Sequence, residues 1–410
     1  MTIDLPILRA PSGALVSSHA RSTLVLCALA ALLEGFDNQS MGVAAPRIAL
    51  EFALSPGQKG LVFSAATLGL FVGAACGGRA ADLFGRKRTL SASLLLFGLC
   101  SLLTATATGG GTMILARLLT GLGLGGAMPN FIALSSEAAH PARRLSSVTI
   151  VMAGMPLGGA MAALIALGDR WGWGWRSIFY VGGIAPILLS LVMWRALPDS
   201  SAAATAASRP RVDSVPTVLF GADRAATTLL LWGGFFFTQL VLLLMLNWLP
   251  SLMVGLGFTR TQASWASLCF NISGALGAIL LGRLHAGGRR RMWVVLTYLG
   301  MAVALAAVPA AGRTFPLAAL ACGLAGIFIV GAQLILFALA PLYYRSAICC
   351  TGVGAAVAVG RFGSVIGPLY ASALLAGGGS SASVLIGILP FVTIGGAAAL
   401  GLTWRQQCGD

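Results

Sequence analysis

Four side chains that carry formal charge stand inside otherwise apolar stretches of this sequence: Glu34, Asp37, Arg117 and Arg361. On insertion scales a centrally placed Asp or Arg costs about 2.5 to 3.5 kcal/mol in hydrocarbon, so such groups face a polar cavity or one another. Glu34 and Asp37 are three residues apart, which sets both carboxylates on one helix face and makes them compete for ionisation. At about 1.5 Å of rise per residue, all four residues fall roughly 18 to 22 Å from the same membrane surface. Two acids and two guanidinium groups in one layer sum to no net charge, and the sum stays zero when one organic anion and one proton arrive together. The chemistry implied is co-transport of an anion with a proton. A plainer alternative is a buried salt-bridge cluster that ties the chain together, although buried pairs stabilise less than packed apolar residues do. Amides in hydrocarbon need partners, which makes Asn271 and Gln333 candidates for substrate contact, with Asn247 and Phe236 beside them. Trp248 reads as an interfacial anchor.

The elements that position these groups follow from composition. Of 410 residues, 58% are hydrophobic and only 9% charged, and the mean hydropathy is +0.91, which excludes a water-soluble fold. Twelve apolar segments can be drawn, at 22–45, 58–80, 89–108, 112–136, 145–167, 175–197, 226–254, 262–284, 292–310, 315–340, 346–375 and 382–404, each long enough to cross about 30 Å of hydrocarbon. The expected fold is an all-α, multi-pass membrane protein with twelve transmembrane helices. With the N-terminus inside, eighteen of the 26 basic residues fall on the cytoplasmic side and six outside, so both termini are expected in the cytoplasm. The net charge of +15 therefore reads as topology and contact with anionic headgroups, and no nucleic-acid partner is expected.

The eight cysteines form no C-x-x-C pair, and His19, His140 and His285 make no ligand cluster, so neither metal nor cofactor is expected. No nucleophile with a histidine base appears either, which argues against an intramembrane enzyme. A hydrophilic stretch divides the chain into a tail (1–21), a six-helix bundle (22–197), a cytoplasmic linker (198–225), a second bundle (226–404) and a short tail (405–410). Gly78, Arg86 and Lys87 after the second segment recur 204 residues later as Gly282, Arg290 and Arg291, a sign of duplication. Asp82 has Ala286 as its counterpart, so the first copy is the stricter one.

Residues 77–88 resemble the G-x-L-x-D-R-x-G-R-K loop signature of the major facilitator superfamily, with Ala80 in place of leucine. Arg117, Gly121, Gly123, Gly125 and Gly126 are similar to its R-x-x-x-G-x-G-x-G-G signature. The resemblance implies two pseudo-symmetric halves and a conformational gate at Gly78, Asp82, Gly85, Arg86 and Glu137. Glu137 would pair with the basic loop or stand solvated.

Within the superfamily, Glu34-Gly35-Phe36-Asp37 resembles the D-G-x-D segment of the aromatic acid:proton symporters. Asn247-Trp248-Leu249-Pro250 and residues 331–341 look most like its 3-(3-hydroxyphenyl)propionate branch. That resemblance implies proton handling by Asp37, tuned by Glu34, and carboxylate binding or gating by Arg117 and Arg361 in either assignment. It implies uptake of an aromatic carboxylate, such as a hydroxyphenylpropionate or hydroxybenzoate, by a monomer in a bacterial cytoplasmic membrane. The rival is a proton-driven exporter of drugs or aromatic compounds. Exporters of that type carry G-x-x-x-G-P in the fifth helix, whereas this chain has Gly154-Met155-Pro156-Leu157-Gly158.

Overall fold

In hydrocarbon every backbone N–H and C=O must be satisfied within its own segment, so long apolar runs resolve as helices. The computed structural model describes residues 18–138, 151–168, 174–197, 219–221, 224–286, 289–344 and 349–405, and they are helical almost throughout. The first half contains α1 (Ser18–Glu51), α2 (Pro56–Phe84), α3 (Arg86–Ala105), α4 (Gly110–Ala138), α5 (Gly154–Leu167) and α6 (Arg176–Ala196). The second contains α7 (Ala225–Gly255), α8 (Arg260–Ala286), α9 (Arg290–Ala310), α10 (Phe315–Leu339), α11 (Cys349–Ala376), α12 (Ser381–Gly387) and α13 (Leu389–Leu402).

Among the described residues, eight segments are long and apolar enough to cross a membrane: α3, α4, α6, α7, α9, α10, α11 and α12 with α13. The helices α1, α2 and α8 reach 34, 29 and 27 residues, and the apolar run of the continuous α1 is broken by Glu34, Asp37, Asn38 and Gln39. The final apolar segment, read as continuous at 382–404, is two helices. Pro390 opens the second of them, and its missing N–H and fixed φ suit a helix start and not a helix interior.

Duplication is visible in detail. Ser55 and Gln58 form a reciprocal capping box at the start of α2, and Thr259 and Gln262, 204 residues on, exchange the same bonds at the start of α8. Helix α1 packs on α5, α2 on α4, and α3 on α4 and α6; in the second half α7 packs on α11, α8 on α10, and α9 on α10 and on the α12–α13 pair. The close approaches repeat too. A Cβ on Gly121 would collide with the Ala66 carbonyl oxygen, and its counterpart Gly326 sits in the same way on Phe270. Gly158 against Leu32 in the first half is matched by Gly367 against Leu240 in the second. Glycine here lets helix backbones approach where apolar association between helices has no hydrophobic drive.

The halves meet through α2 against α11, α5 against α8, and α1 against α7. Side-chain bonds across this seam cluster toward the α1–α2 loop. Gln39 Nε2 donates to the Leu246 carbonyl at 3.1 Å, Ser64 Oγ to Val365 at 3.0 Å, and Ser372 Oγ to Pro56 at 2.8 Å.

At the same end Glu51 fastens the first half. It accepts from both outer nitrogens of Arg176 (2.7 and 3.1 Å) and from the Trp175 indole at 2.5 Å, while Arg176 Nε donates to the Ala105 carbonyl. The hydrogen bond from Arg176, then that from Trp175, holds the Glu51 carboxyl below its usual range. A depressed pKa gives a contribution that is present above the unfolded-state value and lost as pH falls through the folded one. Glu51→Gln is therefore expected to lower the detergent melting temperature slightly at pH 7, and the difference from the parent should vanish in acid below the ordinary carboxylate range. A deficit that persists unchanged in acid would mean the loss is one of packing.

Candidate substrate-binding cavity

A cavity of about 210 Å³ lies between the halves, walled by α1, α2, α4 and α5 on one side and α7, α8, α10 and α11 on the other. Phe63 and Asn247 line its end nearer the α1–α2 loop, and Met152, Ala278 and Phe337 its opposite end. Most of the wall is apolar, with Phe235 meeting Phe337 edge to face at 5.2 Å. Its charged lining residues are Arg117 and Arg361; Gln239, Asn247, Asn271 and Gln333 contribute amides.

The four intramembrane charges divide into a closed pair and an open one. Arg117, from α4, donates through both terminal nitrogens to the two carboxylate oxygens of Asp37 on α1, each at 2.8 Å. Both side chains are buried, at 3% and 1% exposure, so the pair is out of water and its geometry is bidentate. Glu34, one turn earlier on α1, is equally buried, yet neither of its oxygens has a hydrogen-bond donor among the described residues. Arg361 and Asp37 are the charged groups near enough to act on it electrostatically. Arg361, from α11, points one nitrogen at the Met128 sulfur of α4 at 2.8 Å and makes no ion pair among the described residues.

The duplicated scaffold does not duplicate these charges. The helix register set by the paired glycines aligns Glu34 with Leu242, Asp37 with Met245, Arg117 with Cys322 and Arg361 with Met152. Each acid or arginine is a single-copy addition to a two-copy frame.

Of the amides singled out from sequence, Asn271 lines the cavity while its Nδ2 donates to Gln39 Oε1 (3.0 Å) and to the Ser267 carbonyl (2.9 Å). Asn247 also lines it, with its Nδ2 turned to Leu243. Gln333 lines it with its Oε1 buried and unpartnered, an acceptor with no donor of its own. Phe236 lies outside the lining; its backbone is covered by Gly363 and its ring meets Phe237. Trp248 is no interfacial anchor. It is fully buried, edge to face with Phe63 of α2 at 5.2 Å, because the two halves meet over it. Sequence reasoning noted Gln239 beside the charged layer but gave no role to Met128 and did not find the link between Gln39 and Asn271. The polar run Asn38-Gln39 following Asp37 was the available signal.

Among the expected gate residues, Gly85 joins α2 to α3 at φ 88°, a backbone conformation that side chains with a Cβ rarely adopt, and its N–H caps Ala81. Arg86 is ion-paired with Glu137 at the end of α4. Gly78 and Asp82 fall within α2; the surroundings of Gly78 and the side chain of Asp82, like His140, lie outside what the structure describes. The described residues also hold no group of three potential metal ligands.

Comparison with known proteins agrees with this architecture. The family description "Major Facilitator Superfamily" matches residues 27–368. The chain is 42% identical over 407 residues to the 3-(3-hydroxy-phenyl)propionate transporter of Escherichia coli (strain K12), covering 98% of this chain and 99% of that one. It is 31% identical to the 4-hydroxybenzoate transporter PcaK of Pseudomonas putida, over 91% and 90% of the two chains. Among solved structures, a D-xylose-proton symporter superposes with a TM-score of 0.77 at 18% identity, covering 95% and 98% of the chains. The family match over most of the chain and the transporters it resembles place the chain, with its duplicated helical frame and the cavity between its halves, in the major facilitator superfamily, as a membrane transporter and not an enzyme.

Proposed function

We propose that the protein is a proton-coupled importer of an aromatic carboxylate, 3-(3-hydroxyphenyl)propionate or a related hydroxyphenylpropionate or hydroxybenzoate. The observation that carries this reading is the unequal state of the four intramembrane charges. Asp37 takes both terminal nitrogens of Arg117, whereas Arg361 reaches the same cavity with donors to spare and Glu34 has no donor among the described residues. An anion seated on Arg361 finds a bidentate partner, and its ring finds the Phe235 and Phe337 wall. A proton on Glu34 removes the cost of burying an ionised carboxylate without hydrogen bonds.

Transport then proceeds by alternating access, with residues 22–197 rocking against 226–404 about the cavity and the 198–225 linker joining them. With both termini in the cytoplasm, the α1–α2 loop faces outward, and the seam bonds of Gln39, Ser64 and Ser372 on that side support an inward-facing reading of this arrangement. The Arg86–Glu137 pair, with Gly78, Asp82 and Gly85, belongs to the gate on the inner side. Twelve spans, a monomer and a bacterial cytoplasmic membrane complete the reading. The 42% identity along nearly the whole chain supports the substrate class.

Purified protein in proteoliposomes is expected to accumulate radiolabelled 3-(3-hydroxyphenyl)propionate when a proton gradient is directed inward, and to lose that accumulation with a protonophore. A panel of benzoates and phenylpropionates would rank the substrates. Absence of uptake for every aromatic acid, or uptake indifferent to the gradient, would sink the proposal.

A further inference from the structure

The end of the cavity nearer the α1–α2 loop is closed by three side chains that the charges above do not involve. Phe63, on α2, lines the cavity and meets Trp248, on α7, edge to face. One helical turn farther from the cavity, Lys59 on α2 places its amine over the Trp248 ring, 5.6 Å from the centroid. The contact joins the two halves. Trp248 is fully buried, and its indole N–H has no acceptor among the described residues. Lys59 is half-buried and makes no ion pair among the described residues. A cation held on an aromatic face is a partnership between exchangeable members, since either can be satisfied by a molecule that carries both a ring and a negative charge.

We propose that Lys59, Phe63 and Trp248 form an outer subsite that receives the aromatic carboxylate before it reaches Arg361, an inference that rests on the proposed substrate class. When the halves part on the α1–α2 side, Lys59 and Phe63 leave with α2 and Trp248 leaves with α7. The ammonium then takes the ligand's carboxylate, the exposed indole face takes its ring, and the indole N–H can donate to a ring hydroxyl or to the carboxylate. As the halves close, Lys59 returns to Trp248 and displaces the ligand toward the deeper arginines. The same contact is thus a seal in one state and a docking site in the other, with the ligand and the partner residue competing for each group.

The subsite exists on one face of the membrane only, and sidedness is its test. Radiolabelled 3-(3-hydroxyphenyl)propionate is offered to sealed vesicles of both orientations bearing the parent, Lys59→Gln, Lys59→Arg or Trp248→Phe. Lys59→Gln is expected to raise KM from the face that carries the α1–α2 loop by about three- to tenfold, leaving KM from the opposite face unchanged. Lys59→Arg should restore the parental value, since a guanidinium also binds both a ring and a carboxylate. Trp248→Phe keeps a ring but loses the indole donor, and should raise KM on the same face by a smaller factor while keeping the Lys59 dependence. Equal changes on both faces, or no change on either, would overturn the subsite. Failure of the parent to take up any aromatic acid would instead remove the proposed function beneath it.

Discussion

Arg361→Ala is expected to weaken binding of an aromatic carboxylate by about ten- to hundredfold and to erase the preference for the acid over its neutral amide. The reason is the occupancy of the two arginines. Both terminal nitrogens of Arg117 are committed to Asp37 at 2.8 Å, so a carboxylate binding there must first break a buried bidentate pair. Arg361 gives one of its nitrogens to a thioether, a weak acceptor that an anion displaces at little cost. A hydrogen bond between charged groups contributes about 1.5 to 3 kcal/mol, which sets the expected loss. Competition binding with an acid and amide pair reads it directly. If the Arg361→Ala protein still prefers the acid as strongly as the parent, recognition belongs to Arg117, and the Asp37 pair must open during binding.

Glu34→Gln should abolish accumulation against a gradient while counterflow across the same liposomes continues. Glutamine fixes a neutral side chain at a buried position where both oxygens already lack donors, so the resting packing changes little. What is lost is the ability to take up and release a proton as the cavity changes sides. Asp37→Asn is the contrasting case. It removes the charge that neutralises Arg117, and breaking one partner out of a buried pair costs about 3 to 5 kcal/mol. Both transport modes should therefore suffer, along with thermal stability. Full accumulation by Glu34→Gln would return the proton to Asp37, where the sequence alone had put the emphasis.

That difference in emphasis shows where the sequence stops. Charge inside apolar runs identified all four residues, because the cost of burying charge is a property of composition and position. The division into halves followed from the hydrophilic interval near 198–225 and the recurrence of Gly282 and Arg290. Which acid meets which arginine did not follow. Helices this apolar on every side carry no strong periodicity to fix their rotation, and a rotation of about 60° about α1 would bring one acid into the direction the other now takes. Trp248 was misread for a related reason. A tryptophan near the end of a span often anchors at the interface, but here Trp248 is packed in the core, with Phe63 and Lys59 of the other half against its ring. Gln39 and Asn271 likewise find each other across 232 residues, a distance local pattern does not bridge.

The pairing of glycines across the two halves, set against charges that occur once, bears on how such a chain can change its cargo over generations. A change at Gly121 or Gly326 strikes a backbone contact on which the shared frame depends, so these positions are held fast by folding itself. None of Leu242, Met245, Cys322 and Met152 makes such a backbone contact, although Met245 and Cys322 are packed in the core while Leu242 and Met152 line the cavity. They are the unused mirror images of Glu34, Asp37, Arg117 and Arg361, already placed at equivalent turns of the frame. Acquiring a second acid or a second arginine there needs no new helix, loop or cavity. Diversification of the transported molecule can thus proceed by filling vacant mirror positions while the moving parts stay as they are.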